Sequence, residues 1–396
     1  MTREPDPYAQ TSPVSLYATT FMVGVVMISL GPILDPTLKD LRIPLSQGGL
    51  TSVGYAIGML VGVLALNLVL ARVPVKWGLI GAAWLQTVGL AAAAVLARGL
   101  WSLFATYVVV GAGCVLLNSL PGMWVGSRVK TGTDRAMVVL LLSFAAGMMV
   151  TPLAIGAALG LGASWRWVLI VEAGLSLALA TLLTVLPVSD IKGRENLRLR
   201  QLREVIGFNP RLFGAVLGAS ILYIGAEFIL NVWLAKFEID TFAASKTVAS
   251  LAVTLFWVGL VAGRMIIVPL TRRFRTSRLL MTGTAVMAVF ALGVALSTSL
   301  EMSMVMAFCS GLGASGAFPL ILSFSGRFPS WHAGVVFSAV IMAGALGRII
   351  FPYLIGPLAH SLGFRVAIGL AFVLAAALAV LSLYLHRVSG EGEGSG

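Results

Sequence analysis

Charge is what this chain has least of. Only 11% of its 396 residues are Asp, Glu, Lys or Arg, and 59% are hydrophobic, whereas soluble domains carry roughly 25% charged and ~45–50% apolar residues. That deficit excludes an ordinary soluble enzyme. Cysteine is nearly absent too: Cys114 and Cys309 stand alone inside apolar runs, which excludes a disulfide scaffold and any CxxC site. His332, His360 and His386 lie at the ends of apolar stretches in no metal-ligand spacing, and there is no Walker-type glycine loop. The chain therefore reads as a protein without a cofactor or metal, without ATP-driven chemistry of its own, and without the convergent set of groups an enzyme needs. High hydrophobicity excludes disorder, and 44 glycines without a strict period exclude a collagen-like fibre. A polytopic membrane protein remains.

A hydrocarbon core of ~30 Å takes about 20 apolar residues per helix, because backbone groups in lipid must satisfy one another. Uncharged runs of that length lie between Asp6 and Asp35, Arg42 and Arg72, Lys76 and Arg98, Arg98 and Arg128, Arg135 and Arg166, Arg278 and Glu301, Glu301 and Arg327, and Arg365 and Arg387. Four more hold a single ionisable residue each: Glu172 between Arg166 and Asp190, Glu227 between Arg211 and Lys236, Arg264 between Lys246 and Arg272, and Arg348 between Arg327 and Arg365. The expectation is an all-α membrane protein of twelve transmembrane helices.

The polar N-terminal segment has neither the charged start nor the cleavage site of a signal peptide, so the first helix is expected to stay. The even-numbered loops hold 16 Lys and Arg, against 7 in the odd-numbered ones, Lys236 among the latter. The positive-inside rule then puts both termini in the cytoplasm of a protein in the inner (plasma) membrane. That placement absorbs the net charge of +12, and no basic patch is left over for nucleic acid. The longest polar interval divides six helices from six. The resulting layout is a cytoplasmic segment 1–14, a six-helix bundle 15–188, a linker 189–211, a second bundle 212–387 and a tail 388–396. Within the linker, Leu199, Leu202 and Ile206 recur at helical spacing among arginines, as in a short helix on the inner leaflet or in a plain tether.

The two halves repeat. Gly147, Pro152 and Gly156 of the fifth span recur as Gly347, Pro352 and Gly356 of the eleventh, and Gly58, Gly62 and Arg72 recur as Gly259, Gly263 and Arg273. Glycines at this spacing are first of all close-packing positions. Parallel halves that rock about a central site are the physical basis of alternating-access transport.

An ionisable group near the centre of a membrane helix costs about 2.5–3.5 kcal/mol on insertion scales and marks a pathway or relay unless it is paired. Tyr223, Glu227 and Asn231 are four residues apart and form one polar stripe on the seventh span. An acid, an amide and a phenol there suit a hydroxylated solute and a proton taken up or released as the stripe turns from wet to dry; the other reading is a structural carboxylate. Arg348 has no charged counterpart in the repeat, where Met148 stands. It either pairs with an acid such as Glu227 or Glu172 or binds an anionic solute. Asn118 is a polar position in the fourth span, able to meet the stripe across a cavity, and Trp257 offers an aromatic face or plain packing. Asp35, before Pro36, ends the first span. Glu172 follows Trp165, Arg166 and Trp167 and reads as shallow and solvated; Arg264 reads as able to snorkel.

Three segments now carry a resemblance: Tyr223-Ile-Gly-Ala-Glu227-Phe-Ile-Leu-Asn231, Phe256-Trp257-Val-Gly259-Leu-Val-Ala-Gly263-Arg264 and Gly311-Leu-Gly-Ala-Ser-Gly-Ala-Phe318-Pro319. With the twelve-span pattern, they resemble the major facilitator superfamily, and in the second half its fucose–galactose–glucose:proton symporter group, especially bacterial glucose/mannose symporters. The resemblance implies two six-helix halves and sugar:proton symport. Where that group has an acid after a Gly-x-Gly stretch in the fourth span, Gly111-Ala-Gly113-Cys-Val-Leu-Leu-Asn118 offers an amide. An amide cannot titrate, so coupling falls to Glu227 or Asp35, or the protein is a facilitator. The aspartate of the superfamily's second-loop motif is likewise replaced by Ala71 before Arg72, and by Arg272 before Arg273, which removes the usual charge latch.

The expected function is a monomeric secondary transporter in the lipid bilayer that moves a small polar solute, a sugar, with protons. Glu227 or Asp35 would carry the proton, and Asn118, Tyr223, Asn231, Trp257 and Arg348 would line the solute site. The alternatives are an exporter of amphipathic compounds or organic anions, served by Arg348, and a receptor or scaffold that does not transport.

Overall fold

A chain that closes its backbone hydrogen bonds within each segment is left with helices, and helices are what the described residues form. A computed structural model describes residues 11–68, 73–128, 133–189 and 199–388. The expectations for Ala71 and Arg72, for the first ten residues, for residues 190–198 of the linker and for residues 389–396 of the tail fall outside those residues. The helices are α1 (Pro13–Asp40), α2 (Leu50–Leu68), α3 (Val75–Leu96), α4 (Leu100–Arg128), α5 (Thr133–Gly160), α6 (Trp165–Val185), α7 (Leu199–Phe208), α8 (Pro210–Phe242), α9 (Lys246–Leu270), α10 (Thr276–Leu296), α11 (Leu300–Ala314), α12 (Ala317–Ser323), α13 (Ser330–Leu362), α14 (Phe364–Ile368) and α15 (Leu370–Val388). Twelve spans are long and apolar enough to cross a bilayer, the tenth running Leu300–Arg327 and the twelfth Phe364–Val388. The seventh span is α8.

Local chemistry sets the helix ends. Asn209 caps α8, accepting from the Leu212 N–H at 3.0 Å, with Pro210 at the first helical position where its missing N–H costs nothing. Ser299 caps α11 through the Met302 N–H at 3.2 Å. At its other end, α8 stops at Ala243, which takes the left-handed conformation at φ 53°.

Two expectations about span ends are corrected. Pro36 does not end the first span, since α1 continues through Pro32 and Pro36 to Asp40. Lys236 is not a loop residue: it is buried in α8, and its ammonium donates to both Asp240 carboxylate oxygens, at 2.7 and 2.8 Å. A charge neutralised one turn away stays in the helix. The linker does contain a helix, α7, in which Val205 is buried and Ile206 is exposed.

The chain divides into two compact units, one of Met1–Ile43 and Gly54–Asn196, the other of Pro44–Val53 and Leu197–Gly396. In the first, α1 crosses α5 where a Cβ on Gly147 would collide with the Phe21 carbonyl oxygen, and α2 crosses α4 where one on Gly58 would strike that of Val108. The second repeats both crossings: Gly347 of α13 meets the Ile221 carbonyl oxygen of α8, and Gly259 of α9 meets that of Phe308 on α11. The repeated glycines are thus points of backbone-to-backbone packing. In the second unit a further tie joins the same helices, the buried Trp233 indole N–H donating to the Pro352 carbonyl oxygen at 2.8 Å.

Candidate functional site

The polar stripe of α8 faces protein. Tyr223, Glu227 and Asn231 are 2%, 6% and 3% exposed, so the positions that lipid would reject are inside the second unit. Neighbouring helices complete the cluster. From α9, the buried Trp257 donates its indole N–H to Asn231 Oδ1 at 2.8 Å. From the tenth span, Phe318 stacks on Tyr223, ring centroids 6.2 Å apart and planes 21° from parallel. From α13, the Arg348 guanidinium carbon sits 3.8 Å from the centre of the Phe228 ring, a cation–π contact beside the carboxylate.

Glu227 is the electrostatic centre. Tyr223 and Asn231 approach it from the turns on either side, and the charges of Arg348 and Arg264 act on it. The Asn231 approach stops short of full hydrogen-bond geometry, since the amide Nδ2 is buried without a partner. Arg264 is the residue that sequence reading underrated: its Nε donates to the Ser315 carbonyl oxygen at 3.3 Å, which anchors it among these groups. Its place one residue after Gly263, where the helices pack closely, was the available signal.

The other expected residues belong to the first unit. Asp35 is buried and pairs with Lys39 at 2.9 Å, one turn along α1. Asn118 is exposed on α4. Two further buried acids went unnoticed or misread. Glu238, fully buried near the end of α8, accepts from the Ser303 hydroxyl at 2.6 Å. Glu172 is not shallow and solvated; it is 3% exposed. The flanking residues misled because Trp165 is itself buried and Arg166 is tied to the Ala94 and Ala97 carbonyl oxygens at 2.7 and 2.9 Å. Among the described residues no group of three or more His, Cys, Asp or Glu is placed to hold a metal.

Chemically, the α8 cluster offers a carboxylate, a phenol and an amide donor on one line, two aromatic faces, and two cations that temper the acid. A buried donor without a partner costs about 1–3 kcal/mol, and an acceptor on a bound solute would recover that. Hydroxyl-rich molecules present such acceptors together with apolar faces for stacking.

Comparison with known proteins gives the setting. The sequence model of the Major Facilitator Superfamily matches residues 16–242 and 215–395. The glucose/mannose transporter GlcP of Bacillus subtilis (strain 168) is 23% identical over 172 residues, which is 43% of this chain and 42% of that protein. The chain thus spans less than half the length of this curated relative. Among solved structures, a bacterial homolog of the human lysosomal transporter Spinster superposes with a TM-score of 0.78 at 13% identity, covering 96% of this chain and 97% of that one. A D-xylose-proton symporter gives 0.73 at 12% identity, covering 93% and 96%.

Proposed function

The chain belongs to the Major Facilitator Superfamily, a family of multi-pass membrane transporters rather than enzymes, and on that premise we propose that it moves a sugar across the cytoplasmic membrane together with protons. The observation that carries this reading is the Asn231 amide. Its oxygen is fixed by Trp257, while its nitrogen is buried, unpartnered and beside Glu227. A carboxylate and an idle amide donor between aromatic faces suit a hydroxylated, uncharged solute. Glu227 holds and releases the coupling proton as the cluster is opened to water and closed from it, the two six-helix halves alternating in access.

The organic-anion reading needs Arg348 to meet the solute. Its guanidinium lies on the Phe228 ring and acts on Glu227, an arrangement that favours an internal charge partner. Both termini are assigned to the cytoplasm, and taking Lys236 out of the loops widens the lysine and arginine asymmetry that supports this. The protein acts as a monomer in this reading.

The test is uptake into proteoliposomes under an inward acid gradient, with D-glucose, D-mannose, L-fucose and D-xylose beside a set of organic anions. At least one sugar should accumulate and be released by a protonophore. In Glu227→Gln, accumulation should vanish while solute exchange continues. Unchanged acid-driven accumulation in that variant, or flux of anions alone, refutes the proposal.

A further inference from the structure

Glu227, the proposed carrier of the coupling proton, lies in the second unit, and in the first unit the fourth span offers Asn118 where an acid was expected. The first unit nevertheless contains a buried acid in an unusual state. Glu172, on α6, is 3% exposed, and neither carboxylate oxygen has a hydrogen-bond partner. Its surroundings are polar and neutral. Ser29 of α1 is its side-chain neighbour, falling short of full hydrogen-bond geometry, and its hydroxyl donates to the Val26 carbonyl oxygen at 3.0 Å. Tyr107 of α4 is within electrostatic reach, its hydroxyl buried and unpartnered. One turn along α6, Ser176 donates to Gln86 Oε1 of α3 at 2.9 Å, and the Gln86 amide nitrogen is buried without a partner.

The described cations of α6, α1 and α3 each have a partner of their own. On α6 itself, Arg166 is held by Asp40 at 3.2 Å and by two carbonyl oxygens. On α1, Lys39 is held by Asp35. On α3, Lys76 donates to the Thr184 carbonyl oxygen at 2.9 Å, and α5 has no ionisable residue between Met137 and Gly160. An ionised carboxylate buried with neither counter-charge nor donors is among the costliest states in a protein, and such a group takes up a proton instead.

We propose that Glu172 is a proton-binding site of the first unit, carrying a proton in the closed surroundings described here and giving it up when water reaches the face of α6 shared with Ser29, Tyr107 and Gln86. The step is a protonation alone: water supplies the proton to a carboxylate oxygen and receives it back, with no change at carbon. Tyr107 and Gln86 then serve as the donors that hold the ionised form during its exposure. Its role in coupling rests on the proton-driven transport proposed above, but the site itself does not.

The experiment is infrared difference spectroscopy of the full-length protein in proteoliposomes, taken between mildly acidic and mildly alkaline buffer. Wild type should show a protonated-carboxyl stretching band that diminishes on alkalinisation. Glu172→Gln, an isosteric change, should remove part of that band together with its pH response; Glu227→Gln should leave this part in place. In the same vesicles, acid-driven hexose accumulation should fall to simple equilibration in Glu172→Gln while exchange persists, with partial rescue by Glu172→Asp. A Glu172→Gln spectrum identical to wild type, or a Glu172 band that ignores pH, overturns the proposal; accumulation untouched by the substitution overturns its role in coupling. Wild-type vesicles that show the titrating band but no hexose flux would instead refute the sugar reading and leave the proton site standing.

Discussion

Trp257 and Asn231 are joined by one buried hydrogen bond of 2.8 Å that runs from α9 to α8, and it decides which way the amide faces. With the indole N–H on Oδ1, the two amide hydrogens are turned away from Trp257. Trp257→Phe keeps an aromatic ring and removes only the donor. Solute affinity is expected to fall by about fivefold, equivalent to ~1 kcal/mol for one neutral hydrogen bond, read as a rise in KM for uptake. An unaltered KM would mean that the amide does not touch solute.

Glycine substitutions should separate packing from passive positions. A Cβ at Gly259 would overlap the Phe308 carbonyl oxygen, an immovable backbone atom, whereas one at Gly174 on α6 meets nothing within 4 Å. Gly259→Leu should give little folded protein by size-exclusion in detergent. Gly174→Ala should be tolerated, with midpoint temperature equal to wild type or slightly higher, because alanine is the better helix former by up to ~1 kcal/mol.

The buried pair of Glu238 and Ser303 makes a stability prediction with an internal control. Ser303→Ala removes the hydrogen bond to the carboxyl group, whose second oxygen is already buried without a partner, and should destabilise by about 1–3 kcal/mol. Adding Glu238→Leu to that background replaces the stranded polar group with an apolar one. The double variant should recover part of the thermal midpoint; a further drop would show that Glu238 has another essential partner.

Asp35 and Lys39 form an unequal pair, the acid buried and the lysine 68% exposed. Lys39→Gln leaves the buried Asp35 carboxylate without that counter-charge and should cost more than the ~1 kcal/mol of a fully exposed pair, read as a fall in the thermal midpoint. If Asp35 shares in proton coupling, the same substitution will also shift the pH dependence of uptake. A stability change without such a shift assigns Asp35 to structure.

The twelve spans were readable from uncharged runs because lipid imposes a length and forbids unpaired charge, and the seams were readable because backbone contact demands glycine at fixed offsets. The stripe on α8 was readable from its four-residue spacing alone. What the sequence concealed was depth. Lys236 looked like a boundary because a lone lysine usually is one, yet Asp240 one turn later lets it remain helical and buried. Glu172 looked interfacial because of Trp165 and Arg166, and only the fold reveals that Trp165 is buried and that Arg166 is tied to Asp40 and to the Ala94 and Ala97 carbonyl oxygens. Arg264 was misjudged for the same reason: what a long side chain reaches is set by other helices.

At 33 residues without an interior proline, α8 is about 50 Å long at 1.5 Å per residue, well beyond the ~30 Å of a bilayer's hydrocarbon. Glu227 and Glu238 ride on that single unbroken rod, about 16 Å apart along its axis. Any twist or slide of α8 that re-aims one acid must displace the other in the same instant, so a proton arriving mid-membrane would be felt mechanically at the far end of the helix with no intervening messenger.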